Sequence, residues 1–208
     1  MRHASSPSRR TLVAGLVLTL ALGIAGIGAA ISTGCQPSRT DQAGGADADV
    51  YEETSVRWRA TRTFVRTRFP DVRHVSTEAL AAELDEAQTA RPLLIDARTS
   101  QEFAVSHLAQ ASRVGSLDEA LALLQDEPRT RAIVAYCSVG YRSSQLAAAL
   151  QGAGYENVRN LEGSIFAWAN EGRPLVNARG ATTLVHPYDE RWGALLRPEL
   201  RAPAAHGD

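Results

Sequence analysis

The chain has 208 residues, 44% of them hydrophobic and 22% charged, an ordinary balance for one folded core with extensions. Its formal net charge is -1, and no charge cluster marks a nucleic-acid surface. All 22 basic residues are arginine, so Schiff-base and lysine-base chemistry are excluded.

Arg2, His3, Arg9 and Arg10 precede an uncharged, glycine-bearing apolar stretch over residues 11–31. That is the basic-then-apolar pattern of an export signal, and its length would also just span a bilayer. Ser32-Thr33-Gly34-Cys35 resembles a bacterial lipobox, although Ser32 stands where that pattern prefers leucine. Ser8-Arg9-Arg10-Thr11-Leu12-Val13 resembles a twin-arginine export motif. Residues 1–35 therefore read as an export signal or membrane anchor, with lipidation at Cys35, an uncleaved anchor and plain cleavage all open. Each outcome places the folded part outside the cytoplasm, on the periplasmic or cell-surface side. Cleavage before Cys35 would remove three arginines and no acid, leaving a more acidic chain. Residues 36–50 are polar and small and read as a flexible tether.

Residues 51–68 read as an arginine-rich helix with Trp58, Phe64 and Val65 as docking residues, ended by Phe69-Pro70. Val75 belongs to a short strand, and Ser76 caps a helix over residues 77–87 with Leu80 and Leu84 on one face. Residues 92–95 form a buried strand ending at Asp96. A short helix over 100–107, a short strand near Arg113 and a helix over 117–124 follow. Residues 132–136 form the next strand, residues 143–151 a helix, 158–161 a strand and 164–170 a helix. Short apolar strands alternating with helices predict an α/β fold, a parallel sheet flanked by helices. Residues 51–72 form an N-terminal helix, 73–177 the domain, and 178–208 a C-terminal extension that packs on it, with disorder from Ala202 onward.

Ligands of such sheets bind beyond the carboxyl ends of the strands. Two residues fall there: Asp96, and Cys137, which ends the run Ala132-Ile133-Val134-Ala135-Tyr136. Four residues separate Cys137 from Arg142, and a helix follows. Such a loop can curl its amides toward one point above the sulfur, an anion-binding nest at a helix start. That arrangement favours the thiolate and makes it nucleophilic. Gly140 permits the turn, Arg142 can fold back onto the site, and Ser143 suits the helix N-cap. Read without these features, Cys137 is a small buried cysteine at a strand end. A lone thiol in an exported chain favours the functional reading.

Over residues 75–176 these blocks resemble a rhodanese-like domain. They are Leu93-Leu94-Ile95-Asp96-Ala97-Arg98, Glu102-Phe103, His107-Leu108, Tyr136-Cys137-Ser138-Val139-Gly140-Tyr141-Arg142-Ser143, Gly154-Tyr155-Glu156-Asn157-Val158, and Leu161-Glu162-Gly163-Ser164-Ile165 with Ala167-Trp168. The family's Pro-Gly-Ala after the His-Leu pair is here Ala109-Gln110-Ala111, and its second glycine after Leu-Glu-Gly is Ser164. The resemblance implies a sulfurtransferase in which Cys137 accepts a sulfane sulfur as a persulfide. Ser138, Val139, Gly140, Tyr141, Arg142 and Ser143 would bind the substrate, Asp96 and Arg98 would support the loop, and His107 would stabilise a turn. It implies no metal, no cofactor and no general base. Related phosphatase and arsenate-reductase domains have one more loop residue; four is the sulfurtransferase length. The neutral Ser138, Val139 and Tyr141 leave thiosulfate, a persulfide or a polysulfide as donors, and a thiol or other nucleophile as acceptor. The alternative is a non-catalytic sulfur-carrier or protein-binding module at the membrane, docked through the helix of residues 51–68 and the tail.

Overall fold

The computed structural model describes residues 40–86 and 91–203. The signal, the lipidation position Cys35 and the start of the tether lie outside them. Among the described residues no helix is long and apolar enough to cross a membrane.

The chain opens with α1 (Thr40–Arg68), followed by β1 (Arg73–Val75) and α2 (Thr77–Glu86). Next come β2 (Leu93–Asp96), α3 (Ser100–Val105), β3 (Ser112–Arg113), α4 (Leu117–Leu123) and β4 (Ile133–Tyr136). The domain continues with α5 (Tyr141–Gly152), β5 (Val158–Leu161) and α6 (Ser164–Asn170). Five strands make one parallel sheet in the order β1-β5-β4-β2-β3. The central β4 is buried along its whole length, as its unbroken apolar run requires of a strand covered on both faces. Its register pairs Tyr136 with Asp96 on one side and Ala135 with Asn160 on the other. The carboxyl ends of β2, β4 and β5 therefore meet at one edge, with Cys137 at its centre.

Successive strand residues point to opposite faces. Leu94 and Val134 join one core with Leu80 of α2, Ile165 and Phe166 of α6, and Leu175. Ile95 and Ile133 join the other with Val65 of α1, Ala120 of α4, and Leu146 and Leu150 of α5.

The sequence reading placed the first helix at residue 51, after a tether. The structure extends α1 back to Thr40. Helix propagates cooperatively from the segment anchored by Val65. Polar composition alone does not separate such a stretch from a tether. At the other end, β6 (Leu175–Asn177) and β7 (Gly180–Thr182) form an antiparallel hairpin, followed by α7 (Glu190–Gly193) and a 3-10 turn at Pro198–Leu200. The extension packs on the domain as expected: Val185, Leu195, Leu196 and Leu200 are buried in the first core. Order reaches past the expected limit, because the Ala202 amide donates to the Val185 carbonyl at 2.9 Å.

Candidate active site

Beyond Tyr136 the backbone leaves β4 and turns through residues 137–140 into α5. Gly140 has φ 109°, and a Cβ there would lie 3.2 Å from Nδ2 of Asn160. Both facts favour glycine. Gly140 is itself the N-cap, so α5 begins at Tyr141, two residues earlier than the sequence suggested. This corrects the capping role read for Ser143. Ser143 lies inside the first turn, fully buried, and its hydroxyl donates to Oδ1 of Asn160 at 2.6 Å.

Two amides of α6 fix the outer side of the loop. Ile165 N–H donates to the Cys137 carbonyl and Phe166 N–H to the Ser138 carbonyl, both at 3.1 Å. On the inner side the Gly140 amide donates to Sγ of Cys137 at 3.2 Å. Cys137 is a free thiol with 1% of its surface exposed. Burial alone would push its pKa up. The Arg142 charge, Ser143 and the Gly140 amide outweigh burial and hold the thiol below its ordinary range.

Arg142 does fold back, as expected, but onto a partner that the sequence reading did not assign to the site. Its guanidinium donates to Oε2 and Oε1 of Glu102 at 2.8 and 2.6 Å, and to Oγ of Ser138 at 2.9 Å. The Ser138 hydroxyl in turn donates to Glu102 at 2.9 Å. The Glu102 side chain is 2% exposed. Burial would raise its pKa, but these hydrogen bonds and the Arg142 charge carry it down to about 2. Glu102 also accepts from the Thr99 amide and hydroxyl, completing a capping box at the start of α3. The Thr99-x-x-Glu102 spacing was the signal available for that cap; the clamp on Arg142 spans 40 positions and leaves no local trace.

Asp96 and Arg98 stand behind the loop. Arg98 donates to both Asp96 oxygens at 2.9, 3.1 and 2.7 Å, and to the Ser106 carbonyl at 2.6 Å. Both side chains are fully buried. Arg98 is not among the residues that line the opening above Cys137. The Ala97 amide donates to the Tyr136 carbonyl, joining this pair to the residue before Cys137. His107 accepts the turn role: its Nδ1 lies 3.0 Å from the Phe103 carbonyl and its ring stacks on Phe103.

Above the sulfur is a cavity of about 120 Å³, lined by Cys137, Ser138, Val139, Tyr141, Arg142, Tyr188 and Trp192. Of the loop residues read as substrate-binding, Ser138, Val139, Tyr141 and Arg142 face it; Gly140 and Ser143 shape the loop from beneath. Tyr188 and Trp192 come from the tail. The Tyr188 ring lies over the Arg142 guanidinium at 4.9 Å. Gly193 lets the strap close, since a Cβ there would sit 2.8 Å from Cβ of Pro187.

A family model for the rhodanese-like domain matches residues 76–171. A sulfurtransferase of Allochromatium vinosum is 36% identical over 109 residues, which cover 52% of this chain and 99% of that protein. A tRNA uridine(34) hydroxylase of Sodalis glossinidius is 28% identical over 135 residues; these are 62% of this chain but only 37% of the relative. Among solved structures, a rhodanese-like domain protein from Staphylococcus aureus aligns with a TM-score of 0.44 at 24% identity, covering 51% of this chain and 98% of that one.

Proposed function

The chain belongs to the rhodanese-like domain family, and from that premise we propose that it is a sulfurtransferase working through a persulfide on Cys137. The Cys137 thiolate attacks the outer sulfur of a sulfane donor. The Sγ–S bond forms as the donor's S–S bond breaks, and the donor leaves with the electron pair of that bond. An acceptor thiolate or other nucleophile then attacks the outer sulfur and returns Cys137 as thiolate. No protein base enters this scheme: the surroundings that lower the Cys137 pKa favour the thiolate, which attacks directly. One observation carries the reading: a buried free thiol with a lowered pKa receives the Gly140 amide at 3.2 Å beneath a cavity sized for a few atoms.

The donor is an organic persulfide or polysulfide in preference to thiosulfate. Arg142, the cation nearest the sulfur, is neutralised by Glu102, and the rest of the cavity wall is uncharged. A dianion gains little there. The folded part works outside the cytoplasm, tethered through Cys35 or the stretch before it. Fatty-acid labelling that persists in Cys35→Ala would rule out lipidation at that residue.

Intact-mass measurement after polysulfide treatment tests the activity. The wild type gains the mass of one sulfur atom, and Cys137→Ser does not. Absence of the adduct with every sulfane donor overturns the reading in favour of a non-catalytic binding module.

A further inference from the structure

A second, larger depression adjoins the Cys137 cavity. It measures about 730 Å³ and is lined by Arg57, Ala60, Thr61 and Phe64 of α1 and by Arg191, Trp192 and Leu195 at the tail. The α1 residues recur at helical spacing and so share one face. Two contacts join this groove to the site. Trp192 lines both spaces. Phe64, 54% exposed, stacks on Tyr141 of the cavity wall with centroids 5.7 Å apart. Both sides of the groove lie outside residues 76–171, so they are additions of this chain to the family segment.

The two spaces differ in what they admit. The cavity over Cys137 holds a sulfur and the atom or two behind it. The groove offers an apolar floor at Ala60, Phe64 and Leu195 beside two arginines, Arg57 and Arg191. We propose that the groove is a subsite for the body of a low-molecular-weight organic thiol or persulfide bearing carboxylates, with its sulfur reaching past Trp192 to Cys137. This rests on the sulfurtransferase reading and names its substrate class. A carboxylate pairs with the Arg191 guanidinium, the carbon skeleton covers the apolar floor, and only the slender sulfur end enters the cavity. An inorganic polysulfide has no body to place there and uses the cavity alone. Transfer follows the balance given above: Cys137 takes the outer sulfur and the organic thiolate departs.

The test compares two donors in single-turnover persulfide formation on Cys137, read by intact mass. Glutathione persulfide supplies a carboxylate-bearing body, and inorganic polysulfide supplies none. The variants are Arg191→Glu, which reverses one groove charge, and Ala60→Trp, which fills the groove from an exposed helix position. For glutathione persulfide, half-saturation rises about fivefold or more in each variant, the scale of an exposed ion pair lost, while the saturated rate is held. For polysulfide both parameters stay at the wild-type values, which also shows that the variants are folded. The subsite is overturned if both variants keep wild-type half-saturation for glutathione persulfide, or if both donors weaken equally in both variants. Failure of the sulfurtransferase reading is a different result: wild-type Cys137 would take sulfur from neither donor.

Discussion

The Ser164 hydroxyl accepts the amide N–H of Cys137 at 3.1 Å and donates to the Leu161 carbonyl at 3.1 Å, from a backbone held at φ 50°. This left-handed conformation is one that glycine adopts without strain, which fits the glycine that the family pattern has at the place of Ser164. Here a hydroxyl clamp on the Cys137 amide is maintained against backbone strain.

Ser164→Gly relieves about 1 kcal/mol of strain and gives up hydrogen bonding of similar net size, so thermal stability changes little. Ser164→Ala keeps the strain and loses the clamp, and it lowers stability by about 1–2 kcal/mol. Both slow persulfide formation, because the Cys137 amide loses its partner. Calorimetry and single-turnover rates separate the two effects; equal stability losses would refute the strain argument.

The Glu102 carboxylate ties part of the stability in acid to one buried group. Its folded pKa, about 2, lies below the ordinary carboxylate value. A depressed pKa contributes stability that is complete above the unfolded value, near 4.3, and is lost as pH falls through the folded value. Between about pH 5 and pH 2 the wild type should lose on the order of 2–3 kcal/mol through this group, a loss absent from Glu102→Gln. Urea unfolding at a series of pH values measures it, and parallel curves for the two proteins would contradict the assignment.

Because the thiol of Cys137 titrates below its ordinary range, its alkylation by iodoacetamide should persist at pH values where a free cysteine, with a pKa of about 8.5, has stopped reacting. Arg142→Gln removes the leading favourable charge and should move the midpoint of the rate profile upward. An unmoved midpoint would transfer the effect to the loop amides.

Asp96→Ala leaves the Arg98 guanidinium buried without its counter-charge and should cost about 3–5 kcal/mol. The double replacement Asp96→Leu with Arg98→Met should recover much of that loss, since two well-packed apolar groups avoid both desolvation penalties. Denaturant midpoints decide the matter; a double variant as unstable as the single one would show a role for the pair beyond charge balance.

The sheet and the turn that carries Cys137 were legible because each rests on local pattern. The run from Ala132 to Tyr136 is too short and too apolar for anything but a covered strand, and Cys137 and Arg142 bracket a turn that Gly140 permits. Ser143 misled because serine is a good cap anywhere near a helix start, whereas the loop coils tightly enough to make Gly140 the cap. Glu102 was readable as half of a capping box but not as the partner of Arg142, which lies on another element. Tyr188 and Trp192 reach the site only because Val185 and Leu200 anchor the tail across the core, a long-range event without a sequence period.

The closure of that tail on itself has a practical consequence. The Val185 amide donates to the Leu200 carbonyl and its own carbonyl accepts from Ala202, so the strap is a loop tied at its base. Family boundaries record ancestry; they do not mark where this protein stops folding. A chain trimmed to residues 76–171 would strip Leu175, Val185, Leu195, Leu196 and Leu200 from one core, baring an apolar face around Phe166 and Trp168 that water penalises and another copy would cover. The smallest soluble unit of this protein is therefore larger than the segment it shares with its kin, and a shortened version would self-associate.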